Sequence, residues 1–410
     1  MADIRPFQAF RPRKEIVDAV AALPYDVYNR AEAKAAIEGK PLSFLRIDRA
    51  ETAFDDSVDT YAPCVYQKAK ELLDDMIARG EYVQDDTPMY YLYELVMDGR
   101  SQTGIVACAA IEDYESGVIM KHENTRADKE IDRITHVDTC NAQTGPIFLA
   151  YRANAQMDEV VQRIQRLEPE FDFTSEDGVT HRGWLIADAS DIRIIEDGFR
   201  NMNQIYIADG HHRAASAVKV GIKRRNENPE HTGKEEYNHF LSVLFPHDQL
   251  KILPYNRVVM DLNGYTKETF LEKITENFTY ECVEQAYQPD EKATFGMYLD
   301  GQWYKLSAKP QVLSEDPVDG LDVSILQNYL LSPILGIGDP RTDKRIDFIG
   351  GIRGLSELER RANSDMKLAF SMYPTSIEEL FAVADAQKLM PPKSTWFEPK
   401  LRSGIFIHKL

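Results

Sequence analysis

The 410 residues are 43% hydrophobic and 28% charged, ordinary globular composition at a length that suggests two or three domains. The formal net charge of −19 repels phosphate backbones and argues against non-specific nucleic-acid binding, while local donors can still hold a small anion. The four cysteines, Cys64, Cys108, Cys140 and Cys282, form no CxxC pair and signal neither a zinc knuckle nor a disulfide framework.

The first residues, Met1 to Pro6, lack a basic region followed by an apolar run. No run of roughly 18 apolar residues occurs anywhere. A cytoplasmic protein that does not cross a membrane is the resulting expectation.

In chain order, residues 4–10 read as a short strand leading to a turn at Pro12-Arg13. Leu23-Pro24-Tyr25-Asp26-Val27 is an apolar run broken by proline, so a loop is expected. Residues 64–79 have helical periodicity, with Val65, Leu72, Leu73, Met76 and Ile77 on one face and Gly80 as the stop. Tyr90–Met97 and Gly104–Ile111 are β-branched and aromatic, and Asp98-Gly99 supplies a hairpin turn. Residues 154–167 predict an amphipathic helix with Met157, Val160, Val161, Ile164 and Leu167 inward. Short strands follow at Trp184–Ala187 and Gln204–Ile207, then a helix from Ala214 to Val220 and a strand over Phe240–Phe245. Lys223-Arg224-Arg225 is the nearest approach to a basic cluster and reads as a solvated helix end.

After about residue 260 the pattern changes. Tyr280–Val283 and Thr294–Leu299 read as antiparallel strands, and Asp322 as the cap of a helix ending near Gly336. Gly350-Gly351 reads as a turn. Thr375 with Glu378 three residues on has the capping-box spacing, followed by the stripe Ile377, Leu380, Phe381 and Ala384. The expected division is a core over residues 1–260 and a second α+β lobe over 261–410, whose tail returns toward the core.

The sharpest chemical feature is Ile205-Tyr206-Ile207-Ala208-Asp209-Gly210-His211-His212-Arg213. A strand enters, glycine permits a turn, and a helix leaves. Unpaired backbone N–H groups and the positive dipole end at a helix start suit phosphate or carboxylate. Arg213 adds a bidentate fork, and His211 and His212 point in different directions, so one can face a ligand. Asp209 could fix a histidine tautomer, hold Mg²⁺ or cap the helix. No third His or Cys lies at ligand spacing, so the histidine pair predicts no metal site.

A second polar cluster, Met120-Lys121-His122-Glu123-Asn124-Thr125 with Asp132-Arg133, offers His122 and Glu123 as a general base and equally suits a solvated loop. A third, from Pro391 to Lys400, holds Lys393, Ser394 and Thr395 as anion contacts, or is a rigid packing arm anchored by Trp396 and Phe397.

These segments carry a resemblance. Ile4-Arg5-Pro6-Phe7, Leu23-Pro24-Tyr25-Asp26-Val27, His122-Glu123-Asn124-Thr125, Ala208 to Arg213 and Met390-Pro391-Pro392-Lys393-Ser394-Thr395 resemble the domain-of-unknown-function family 1015 over nearly the whole chain. One departure is Leu253-Pro254-Tyr255-Asn256-Arg257, where the family usually has threonine and histidine before the arginine. More distantly, the Gly-His-His-Arg loop resembles that of the ParB/sulfiredoxin superfamily. Its members include chromosome-partitioning CTPases, sulfinic-acid reductases and free-serine kinases.

That likeness implies an α/β (α+β) fold, a ParB/sulfiredoxin-like nucleotide-binding core elaborated by insertions. Sulfiredoxin chemistry needs a cysteine where His211 stands, so the reductase reading fails. ParB proteins carry Gly-Glu-Arg-Arg and a helix-turn-helix, and neither is visible here. The kinase branch implies a nucleotide (ATP or ADP) with Mg²⁺ and a small-molecule acceptor such as free serine. Gly210, His211, His212 and Arg213 would cradle phosphate, with Asp26, Glu123 and Asp209 as base or metal ligand. A non-catalytic nucleotide or metabolite sensor is one alternative. A phosphoester hydrolase, with His122 or His211 activating water, is another.

Overall fold

The computed structural model describes residues 1–125 and 127–410. The chain is mixed α/β and divides into two compact units: residues 1–250 with 399–410, and residues 251–398.

The first unit is built on a nine-stranded sheet. Its strands are β1 (Ile4–Arg5), β2 (Tyr90–Met97), β3 (Arg100–Ala110), β4 (Ile119–Met120), β5 (Ile147–Tyr151), β6 (Phe171–Thr174), β7 (Thr180–Ile186), β8 (Ile205–Asp209) and β9 (His239–Pro246). Their order is β4-β8-β5-β9-β3-β2-β7-β6, with β1 paired antiparallel to β3. The β2–β3 hairpin follows from its turn. Asp98 and Gly99 both have positive φ, 54° and 76°, which is the primed two-residue turn that matches strand twist. Strand β3 begins at Arg100, earlier than the apolar run alone suggests, because the turn sets the register.

Helices α1 (Pro63–Ala78), α2 (Ala127–Cys140), α3 (Ala155–Ile164), α4 (Ala189–Arg200) and α5 (His211–Glu227) are the longer helices of this unit. Helix α1 matches its periodicity, with Val65, Leu73 and Met76 buried and Leu72 and Ile77 packed partly against the same core. Helix α3 buries Met157, Val160, Val161 and Ile164. Leu167 is a correction: it lies beyond the helix and is 58% exposed, because the helix ends at Ile164. Lys223, Arg224 and Arg225 end α5 and pair with Asp138 and Glu112, with Lys223 exposed and the two arginines partly buried.

The second unit holds a six-stranded antiparallel sheet. Its strands are β10 (Tyr255–Val259), β11 (Phe278–Val283), β12 (Thr294–Leu299), β13 (Gln302–Ala308), β14 (Ile346–Gly350) and β15 (Leu368–Met372), in the order β11-β13-β12-β15-β10-β14. Strands β11 and β12 are therefore not partners. The hairpin strand β13 lies between them and pairs with each. Asn256, where the family usually has histidine, is buried and accepts the Met372 N–H at 3.0 Å, a structural contact between β10 and β15.

Helices α6 (Lys267–Ile274), α7 (Asp322–Leu326), α8 (Gly354–Ala362) and α9 (Ile377–Asp385) belong to this unit. Two capping expectations shift by one residue. Leu321 is the N-cap of α7, and the Asp322 carboxylate instead accepts the Ala293 N–H at 2.9 and 3.0 Å. Ser376, not Thr375, forms the capping box of α9, with Glu379. The Thr375 hydroxyl is spent on the Ser394 carbonyl at 2.9 Å. Ser376→Ala should therefore cost about 1 kcal/mol in chemical denaturation, as loss of an N-cap does, whereas Glu378→Ala should leave stability unchanged.

Candidate functional site

The loop at Gly210 is set by its backbone. Strand β8 pairs with β5 through a register shift between Ile207 and Asp209, so the strand is bulged at Ala208 just before the turn. Gly210 then takes φ 91° and ψ 32°, the left-handed conformation that glycine adopts without strain. A Cβ there would also meet the Arg213 guanidinium at 3.1–3.2 Å. Helix α5 starts at His211, so both histidines lie in its first turn. The N-cap is Gly210, which corrects the reading of Asp209 as the cap. Asp209 Oδ1 instead accepts the Gly210 N–H at 2.9 Å.

The Asp209 carboxylate sits among cations. Lys400 Nζ is 3.3 Å from Oδ2, and Arg213 Nη2 is 3.8 Å away. Burial acts to raise its pKa, but Lys400 and then Arg213 outweigh it and hold the carboxyl well below the usual carboxylate range. Arg213 is itself anchored, because Nη1 donates to the Pro146 carbonyl at 2.7 Å. Gly145 lets that segment approach: a Cβ there would lie 3.2 Å from Ser403 Oγ and 3.7 Å from Arg213 Nη1.

His122 and His211 meet edge to face, with ring centroids 4.5 Å apart and planes at 88°. Both are buried, at 2% and 6% exposure. Neither nitrogen of His122 makes a well-aligned hydrogen bond among the described residues, although the Ile207 carbonyl lies near the ring, and Nε2 of His211 has no partner among them. His211 Nδ1 lies 3.9 Å from Glu123 Oε2. Desolvation, reinforced by His211, holds the His122 pKa well below 6.5. Desolvation also lowers that of His211 to about 4, with Asp209 opposing. Both rings are therefore neutral at pH 7 and present an N–H and a lone pair each.

Tyr25 lies under the Arg133 guanidinium, 4.0 Å from its ring centroid. A cavity of about 30 Å³, room for a water or two, is lined by Tyr25, Asp48, Arg133, Thr144, Arg213 and Ser403. Asp26 is exposed on the short turn Tyr25–Val27. His212 is half-buried, and Glu130 pairs with Lys219.

The structure thus gathers His122, Glu123, Asp209, Gly210, His211 and Arg213, with Tyr25 beside Arg213. Lys393, Ser394 and Thr395 belong to the second unit. There the Ser394 hydroxyl donates to the Pro391 carbonyl at 2.6 Å, Lys393 stands 5.4 Å over the Tyr255 ring, and Arg257 donates to the Lys393 carbonyl at 3.1 Å. The residues that sequence reasoning missed are Lys400, Gly145 and Pro146. None carries a local signal, since their partners lie far off in the chain.

The neutral histidines have a consequence for stability. His211 binds a proton near pH 6.5 when unfolded and near pH 4 when folded. Its depressed pKa costs nothing above about pH 7, and stability falls as pH drops from 6.5 toward 4. The shift is worth roughly 3 kcal/mol at full development. Unfolding free energies at pH 7.5 and 5, compared between wild type and His211→Gln, should show a shallower acid loss in the variant.

Among solved structures, the chain is similar to a free serine kinase in complex with AMP (14% identity, covering 74% of this chain and 91% of that one, TM-score 0.37). It is also similar to SbnI with C-terminal truncation from Staphylococcus aureus (11%, 72% and 82%, TM-score 0.38). A third is a conserved hypothetical protein from Pyrococcus furiosus (13%, 74% and 94%, TM-score 0.35). No curated protein matches the chain. The family model described as a protein of unknown function, DUF1015, matches residues 4–324, and the chain belongs to that family.

Proposed function

We propose that the loop from Gly210 to Arg213 binds the phosphates of a nucleotide, ATP or ADP, and that the protein transfers a phosphoryl group to a small hydroxyl metabolite such as free serine. The observation that carries this reading is the start of α5. A 17-residue helix presents its first N–H groups there beside Arg213 and two buried imidazoles with unpartnered nitrogens. Unpaired N–H groups, the helix dipole and a guanidinium suit a phosphate, and a neutral imidazole N–H can donate to one of its oxygens.

The donor set fits Mg²⁺ only as a partner of the nucleotide. Among the described residues, no group of three or more His, Cys, Asp or Glu side chains could hold a metal ion. Asp209 and Glu123 are the carboxylates that would share it with the phosphates, the mode in which Mg²⁺ keeps most of its ligands outside the protein. Bound there, the ion would neutralise charge on the transferred group. Asp209 stays ionised because Lys400 and Arg213 flank it. Glu123, 41% exposed, and the exposed Asp26 are the carboxylates free enough of burial to accept the proton of an incoming hydroxyl.

The unpartnered nitrogens of His122 and His211 also favour a second reading, a phosphoester hydrolase in which one imidazole activates water.

Phosphorylated product should form from ATP or ADP and serine. Arg213→Ala should lower turnover by about 100-fold or more, as loss of a transition-state donor does, with an unchanged circular dichroism spectrum. Phosphate release without acceptor would replace the kinase by the hydrolase, and saturable nucleotide binding without turnover would leave a sensor. Full activity in Arg213→Ala would remove the loop from the mechanism. Gly210→Ala should also destabilise the fold by about 1–3 kcal/mol, the usual strain of a side chain held at positive φ, measured by urea titration.

A further inference from the structure

A second polar centre lies away from the loop, at the floor of a cleft of about 570 Å³ in the first unit. Its size falls in the ~300–1,000 Å³ range of small-molecule sites. One wall is the segment from Asp18 to Leu45, and the other is the β6–β7 hairpin with Arg402. Leu23, Leu42, Leu45 and Phe173 make the cleft apolar on its sides.

Arg402 is the unusual member. Its side chain is only 4% exposed. Nε donates to His181 Nε2 at 3.3 Å, and Nη2 to Ser175 Oγ at 2.9 Å and to Asp177. His181 is held in turn, with Nδ1 2.8 Å from the Tyr93 hydroxyl and its ring stacked on Phe173 at 5.0 Å. This network fixes one edge of the guanidinium. The hydrogen bonds of the guanidinium run from Nε and Nη2, and none among the described residues uses Nη1. A rigidly held guanidinium with two unused N–H donors, bordering an apolar cleft, has the chemistry of a carboxylate receptor.

Lys40 supplies a second cation. It pairs with Glu176 at 2.7 Å, and both residues line the cleft. The pair is exposed, so its opening costs at most about 1 kcal/mol. Asp177 already neutralises much of Arg402, which favours a monoanion over a phosphate dianion.

We propose that this cleft binds a small metabolite with one carboxylate and an apolar body, its carboxylate between Arg402 Nη1 and Lys40. The wall behind it is thin. Ala22 and Ser403 form a β-bridge through two hydrogen bonds, 2.8 and 3.2 Å long. Ala22 and Arg402 line the cleft, while Ser403 lines the small cavity beside Arg213.

The test is calorimetric titration of the full chain, without nucleotide, with L-leucine, 4-methylpentanoate and the neutral amide of the latter. Millimolar or tighter binding of either carboxylate, with none of the amide, is the expected result. The leucine arm shows whether Asp18 and Glu176 also read an ammonium group. Lys40→Glu should weaken binding about tenfold, one charge-assisted contact. Leu42→Trp, which fills the cleft, should abolish it, and Arg213→Ala should leave it unchanged. Equal binding of the amide, no binding of either carboxylate, or loss of binding in Arg213→Ala with retention in Lys40→Glu would overturn the assignment. Each of these outcomes is independent of whether the loop transfers phosphate.

Discussion

The left-handed turn at Gly210 is the constraint on which the loop depends. It lets β8 hand the chain to α5 within one residue, so the helix begins at His211 and its first N–H groups lie beside the end of the strand. It also leaves room for Arg213 to fold back over the glycine, where a Cβ would press on the guanidinium at 3.1–3.2 Å. Arg213 in that position reaches both Asp209 and the Pro146 carbonyl. The two cations beside Asp209 offset the cost of half-burying a carboxylate, so the negative charge is structural as well as chemical.

The surroundings fit a site for an anion in an acidic protein. A formal charge of −19 sets a repulsive long-range field, so affinity must come from short-range donors. Backbone N–H groups, a guanidinium and neutral imidazole N–H groups are such donors. Burial, which keeps His122 and His211 uncharged, also leaves Nε2 of His211 without a partner, and the His122 nitrogens without a well-aligned one, among the described residues. Such orphaned polar atoms in a packed interior are what a bound ligand would satisfy.

What was legible in the sequence was local. The Asp98-Gly99 turn, helix α1 and the strand–glycine–helix unit depend on neighbours within a few residues, and composition and periodicity record those. The errors came from distant partners. Thr375 and Ser376 are both good caps, and only the Ser394 carbonyl, 19 residues away, decides which hydroxyl is free. Strand β13 between β11 and β12 is a matter of pairing order, which an alternating pattern does not encode. The anchors of the loop, Lys400 for Asp209 and Pro146 for Arg213, lie 191 and 67 residues from their partners. His122 and His211 were each visible as residues of interest, but their edge-to-face contact spans two motifs and no spacing rule announces it.

The central claim is that phosphate groups sit on the loop. Isothermal titration of ATP and ADP, each with and without Mg²⁺, into wild type and Arg213→Ala tests it most directly. Saturable one-to-one binding that Arg213→Ala weakens by tenfold or more, about 1.4 kcal/mol, is the expected result. Equal affinity in the two proteins, or no heat from either nucleotide, would contradict it.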